Sequence, residues 1–207
     1  ARQKPTLTIT NLLIFKQINI QFNLVQLMLQ RSGQAGTSTR PSATREVSPM
    51  NAIDLLKADH ERVKAILSQL SESTERGVKK RTELLAKLEM EISLHTRLEE
   101  EILYPAFRKA GGKDQEIMYH EAKEEHRTVD SLVLPDLKQT SPSTTEFSGR
   151  VKVVKELLEH HIEEEESEMF PQAKKLLGKA LLEELGAEME AMKAAHKKAL
   201  GAKPMAA

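Results

Sequence analysis

The chain has 207 residues, 31 basic and 31 acidic side chains, no cysteine and 3% aromatic residues. That length can bury one core plus a tail. The lack of cysteine excludes disulfides, thiolate metal sites and cysteine nucleophiles, and it fits a reducing, cytoplasmic setting.

The composition is rich in Leu, Glu, Lys and Ala, which predicts an all-α protein. Residues 1–49 differ from the rest. They carry six bases (Arg2, Lys4, Lys16, Arg31, Arg40, Arg45) against one acid, Glu46, a balance of +5 that leaves residues 50–207 at −5. Asn11 to Gln30 is apolar but broken by Lys16, Asn19, Gln21 and Gln26, too polar for a membrane span. Arg31 to Pro49 is rich in Ser, Thr and Arg and reads as a linker. The expectation is a disordered or non-native extension over 1–49, with the native chain beginning at Met50; a transit peptide is the alternative. No membrane contact is expected. A mildly acidic body without a basic, aromatic-studded patch also argues against nucleic acid as a partner.

Helical periodicity begins at Met50. Ile53, Leu56, His60, Val63, Leu67 and Leu70 form one stripe. After a turn around Gly77, a second stripe runs through Leu84, Leu88, Ile92, His95, Glu99 and Ile102 and is expected to stop or kink at Pro105. Gly111-Gly112 breaks the chain. Tyr119, Ala122, His126, Val129 and Val133 make the third stripe, and Lys138 to Gly149 is expected to be a loop. Val154, Leu157, Leu158, His161, Glu165 and Met169 make the fourth, ending at Pro171. A further amphipathic helix, from Lys179 to about Leu200, is expected to pack on the outside.

The stripes repeat. His60, His95, Glu99-Glu100 and Tyr104-Pro105 recur as His126, His161, Glu165-Glu166 and Phe170-Pro171, each offset by 66 residues. Two copies of a helix pair predict an up-down-up-down four-helix bundle over 50–177, with a pseudo-twofold axis between the copies and an additional C-terminal segment over 178–207.

Residues i and i+4 of a helix lie about 40° apart around its axis. His95 with Glu99, and His161 with Glu165, therefore form two clamps facing inward. With His60 and His126 on the other two stripes, four imidazoles and two carboxylates converge. A single histidine on an apolar face is commonly a satisfied core residue, but six such residues in register are not explained that way. Buried carboxylates facing each other without a cation would cost several kcal/mol or be protonated. Nitrogen and oxygen donors without thiolate suit iron, manganese or zinc. His160, Glu163 and Glu164 fall off the stripe, and His120 and His196 are expected at the surface. Glu100 and Glu166 stand one step away, as solvated groups or partners of the ligands. Tyr104 and Phe170 are expected to cap and pack helix ends.

The runs Asp59-His60-Glu61-Arg62-Val63, His95 to Pro105, Glu124-Glu125-His126 and His161 to Pro171 resemble the hemerythrin-like, HHE cation-binding family. The resemblance covers about Met50 to Leu177. It implies a carboxylate-bridged, oxo- or hydroxo-bridged pair of iron ions held by His60, His95, Glu99, His126, His161 and Glu165. The oxygen-carrying hemerythrins use five histidines, one Glu and one Asp; four histidines fall on the stripes here, with Glu at both carboxylate positions. Two histidines, one oxygen from each Glu and one bridging oxygen would leave an open position on each iron, which favours reaction over reversible carriage. The expected function is binding of, or response to, a small diatomic or peroxide ligand: oxygen, peroxide or nitric oxide. A peroxidase-like or iron-donating repair enzyme and a metal-stapled interaction module are the alternatives, and no protein partner is specified.

Overall fold

The computed structural model describes residues 50–201. The 1–49 extension, with the origin and disorder expected of it, lies outside the described residues, as do 202–207. Helix α1 spans Ala52–Ser71. Helix α2, Val78–Leu98, runs through a π-helical turn at Glu99–Leu103 into α3, Tyr104–Ala110. Helix α4, Lys113–Thr128, likewise passes through Val129–Val133 into α5, Leu134–Gln139. Helix α6, Thr145–Glu164, passes through Glu165–Met169 into α7, Phe170–Gly201, which Gly178 divides at φ 71°. The result is an all-α, up-down-up-down bundle of four rods plus a long C-terminal helix, and the first rod packs against the second and fourth. Among the described residues, no helix is long and apolar enough to cross a membrane.

Local chemistry sets the helix starts. The Asn51 side-chain oxygen accepts the Asp54 N–H at 3.1 Å, and Thr144 Oγ1 accepts the Phe147 N–H at 3.2 Å. The Gly112 N–H donates to Gln115 Oε1 at 2.7 Å, closing the Gly111-Gly112 break.

The prolines do not end their helices, which corrects the expectation for Pro105 and Pro171. Proline lacks an N–H, and its ring meets the carbonyl four residues back. In the residue before each proline (Tyr104, Leu134, Phe170) the N–H instead donates to the carbonyl five residues back, on Glu99, Val129 or Glu165. The widened turn carries each rod past the ring. It also inserts one residue into the periodicity. In the third rod Leu134 and Leu137 therefore become core residues, while Val133 is only half-buried. The helix continues to Gln139, and the expected loop from Lys138 to Gly149 shrinks to 140–144.

Two apolar clusters fill the bundle. One gathers Leu56, Leu103, Tyr104, Phe107 and Phe170, the other Leu67, Leu88, Phe147 and Val154. The residues with the inward histidines lie between them. The last part of α7 closes the first cluster with Leu182, Leu185 and Met189. Its Gly186 lies so near the Met50–Ala52 backbone that a Cβ there would clash.

Arg81 ties the two repeat copies together at the other end. It is 2% exposed, its Nη1 donates to the Pro142 carbonyl at 2.7 Å, and its Nη2 donates to the Ser73 carbonyl and Ser148 Oγ at 2.8 Å each. Its guanidinium lies 5.1 Å from the Phe147 ring centroid. Arg81→Ala strands those acceptors and opens a void, so it is expected to lower stability by about 3 kcal/mol in urea unfolding, whereas Arg76→Ala, in the exposed turn, should cost under about 0.5 kcal/mol.

Candidate metal centre

The six inward residues meet in one layer. His60, His95, Glu99, His126, His161 and Glu165 are each 6% exposed or less. The Nε2 atoms of His60 and His95 are 3.2 Å apart, and those of His126 and His161 are 3.1 Å apart. Glu99 spans the two pairs: Oε1 lies 3.0 Å from His95 Nε2, and Oε2 lies 3.3 Å from His126 Nε2. Glu165 behaves differently. Its Oε2 sits 3.2 Å from His60 Nε2 and 3.5 Å from His161 Nε2, while Oε1 accepts the Tyr104 hydroxyl at 2.8 Å. Donor atoms of His60, His95, Glu99 and Glu165 lie within 4.8 Å of one another, as do those of Glu99, His126 and His161, so Glu99 belongs to both sets.

The outer nitrogens decide which way the imidazoles face. His60 Nδ1 is 2.8 Å from Glu166 Oε1, His126 Nδ1 is 3.2 Å from Glu100 Oε1, and His161 Nδ1 is 2.7 Å from Glu125 Oε2. A carboxylate accepts only, so each of these Nδ1 atoms carries a proton and each of the three rings turns its Nε2 inward, where the deprotonated nitrogen is a metal donor. Nε2 atoms facing one another across 3.1–3.2 Å, beside both Glu99 oxygens and Glu165 Oε2 without a hydrogen-bond partner, form a donor set that fits a cation. His95 is the exception. Its Nδ1 is 3.8 Å from Asp59 Oδ2 and lacks a hydrogen bond, while the Asp59 carboxylate pairs with Arg62 and with Lys193 of α7, the latter at 2.6 Å.

The charges respond accordingly. Burial opposes the charged form of His95, but the Glu99 carboxylate outweighs it and raises the pKa. For His161, burial is again outweighed, by the Glu165 charge and the Glu125 hydrogen bond, and the pKa rises to about 9. Glu99 is held well below the usual carboxylate range, its burial overcome by His95 and His126. Burial, then Glu165 and Glu99, push the Tyr104 phenol well above its ordinary value, so it keeps its proton for Glu165.

Several partners of the site escape the stripe analysis. Glu100 and Glu166 orient histidines of the opposite copy, and Glu125 orients His161. The sixty-six-residue offset linking Glu100 to Glu166 and Asp59 to Glu125 was the available signal. Tyr104 and Phe170 do not cap helix ends. Tyr104 stacks on His126 with centroids 5.6 Å apart, and Phe170 stacks on His60 at 5.6 Å. Each aromatic follows its Glu by five residues, about one full π turn, so the bulge brings it over the ligand layer. His120 and His160 are exposed and His196 is half-buried, all outside that layer.

An antiparallel helical bundle with imidazole and carboxylate donors in its core defines a class: a bundle-borne metal-binding protein. The hemerythrin HHE cation-binding domain matches residues 51–173, and the chain belongs to that family. Rv2633c of Mycobacterium tuberculosis, a protein without an assigned function, is 32% identical over 69% of this chain and 84% of its own length. A DNA nickase of Nostoc is 28% identical over 82% of this chain, which spans only 46% of the nickase. Among solved structures, an HHE cation-binding domain protein of Mycobacterium kansasii, a homologue of Rv2633c, superposes with a TM-score of 0.63 at 31% identity, covering 73% of this chain and 90% of that one.

The raised His161 pKa fixes the sign of a pH effect. A group raised from the ordinary 6.5 to about 9 stabilises the metal-free fold fully below pH 6.5 and loses that contribution as pH climbs toward 9. The Tm of metal-free protein should therefore fall across this window. Metal must displace the same proton, so metal affinity should rise across it. Calorimetry of the two forms at pH 6, 7.5 and 9 checks both trends.

Proposed function

We propose that the chain binds two iron ions through His60, His95, Glu99, His126, His161 and Glu165, and that it binds or responds to oxygen, peroxide or nitric oxide. One observation carries the reading: four inward imidazole Nε2 atoms and three partnerless carboxylate oxygens converge beside a small cavity. That cavity holds about 20 Å³ and is lined by the four imidazoles, by apolar side chains including Val63, Leu158 and Ile162, and by Thr96 and Asp130. This is room for a single water-sized molecule. A bound iron pair would supply redox chemistry toward such a molecule.

The protein's own part is positional. Glu166, Glu100 and Glu125 hold three rings with Nε2 inward, Glu99 spans the two histidine pairs, and Tyr104 fixes the angle of Glu165. The apolar walls exclude bulk water and admit only small ligands. Glu165 gives one oxygen to Tyr104 and only one to the histidines, so a bound metal pair would draw few donors from the protein and could take up a small ligand. This supports a reactive or sensing role over simple carriage. The nicking activity named for the Nostoc relative is not carried over, because residues 50–207 have a balance of −5, unfavourable for contact with a phosphate backbone.

Protein prepared anaerobically should contain two irons per chain, and admitting air should produce a near-ultraviolet charge-transfer spectrum. Zinc in their place, with no response to oxidants after refilling with iron, would overturn the reading. Reversal of the spectrum under vacuum would favour carriage instead. Glu99→Gln, which removes the spanning charge, should reduce metal content to one ion or none while leaving the helical content largely intact.

A further inference from the structure

The two repeat copies agree at the ligands but not at the surface above them. Where the first copy has Leu55, Leu94, Leu98 and Ile102, the second has Glu121, His160, Glu164 and Glu168, each sixty-six residues on. In the first copy this patch is closed. Leu55, Leu98 and Ile102 are buried in the cluster that holds Leu182, Leu185 and Met189 of α7, and Lys193 neutralises Asp59 at its edge.

In the second copy the equivalent place is a cavity of about 50 Å³. Exposed Glu121 and Glu168 stand at its mouth, half-buried Glu125 and Glu164 lie deeper, and buried His161 and Glu165 form its floor. Glu165 Oε2, at that floor, has no hydrogen-bond partner.

Glu125 joins the outside to the inside. Its Oε2 is 2.7 Å from His161 Nδ1, while Oε1 is 3.9 Å from His160 Nε2, which lies 3.4 Å from Glu164 Oε1. Donor atoms of Glu125, His160 and Glu164 lie within 4.8 Å of one another, a span one divalent cation can gather with small side-chain adjustments. The cavity is too small for a fully hydrated ion, so its carboxylates would replace lost water as a cation moves inward. They would also concentrate cations at the mouth and repel anions.

We propose that this carboxylate-lined opening is the way by which a divalent metal ion enters the bundle, with Glu125, His160 and Glu164 as its transient outer site. The proposal rests on the metal-centre reading above. It makes the broken symmetry functional: one face is sealed by α7, and the other admits the ion.

Cobalt(II) added to metal-free protein reports loading through its d–d bands without redox chemistry. Glu121→Gln/Glu168→Gln should slow loading about 10-fold at low ionic strength, with final cobalt content and end-point spectrum unchanged. Glu72→Gln/Glu75→Gln, removing equal charge near the α1–α2 turn, should change the rate by less than about 2-fold if the field at the mouth is what matters. For the unmodified chain, potassium chloride should slow loading toward the rate of the first variant, a check that needs no substitution. Equal slowing by both variants, or by neither, would overturn the route while leaving the metal centre standing. Failure of the unmodified chain to take up cobalt at equilibrium would overturn the metal-centre reading and the route with it.

Discussion

Everything in this bundle is arranged around two carboxylates, Glu99 and Glu165, that sit in an apolar core at 0% and 2% exposure. A buried carboxylate without a partner costs several kcal/mol, enough to dominate a fold whose net stability is about 5–15 kcal/mol. Four imidazoles answer that charge, and outer carboxylates set the tautomers of three of them. Without metal the layer takes up protons, as the raised His95 and His161 pKa values indicate. With metal, the same charges become binding energy, and binding becomes coupled to folding.

The three prolines serve that layer as well as the chain path. A π turn before each one spares the helix from breaking, and two of these turns begin at the carboxylates themselves. The extra residue swings Tyr104 and Phe170 back over the histidines, where an unbroken α-helix would have turned them away. A backbone irregularity thus supplies the lid of the site and, through the Tyr104 hydroxyl, one of its hydrogen bonds.

Duplication explains the symmetry of the inward His and Glu residues, and divergence explains what differs between the copies. Tyr104 of the first copy corresponds to Phe170 of the second, so one Glu is tethered by a phenol and the other is not. Asp59 is one methylene shorter than its counterpart Glu125, and it turns to Lys193 rather than reaching His95. The C-terminal helix supplies that lysine and covers the apolar patch of the first copy. It is part of the centre's surroundings, not a separate attachment on the outside.

The helical stripes, the glycine breaks, the two-copy bundle and the six inward His and Glu residues were legible in the sequence, because periodicity of 3.6 and a constant offset are local or one-dimensional signals. Other features were not. Pro105 reads as a stop, and only the path of the packed rod shows that the helix continues through it. Arg81 carries no signal in the stripes, yet its five hydrogen bonds reach across both turns. Glu100 and Glu166 read as solvated acids or as partners of the inward residues, and which of the two holds depends on distances between rods. Which residues point inward is set by each helix alone; which of them touch, and which face α7 covers, is decided only when the rods pack.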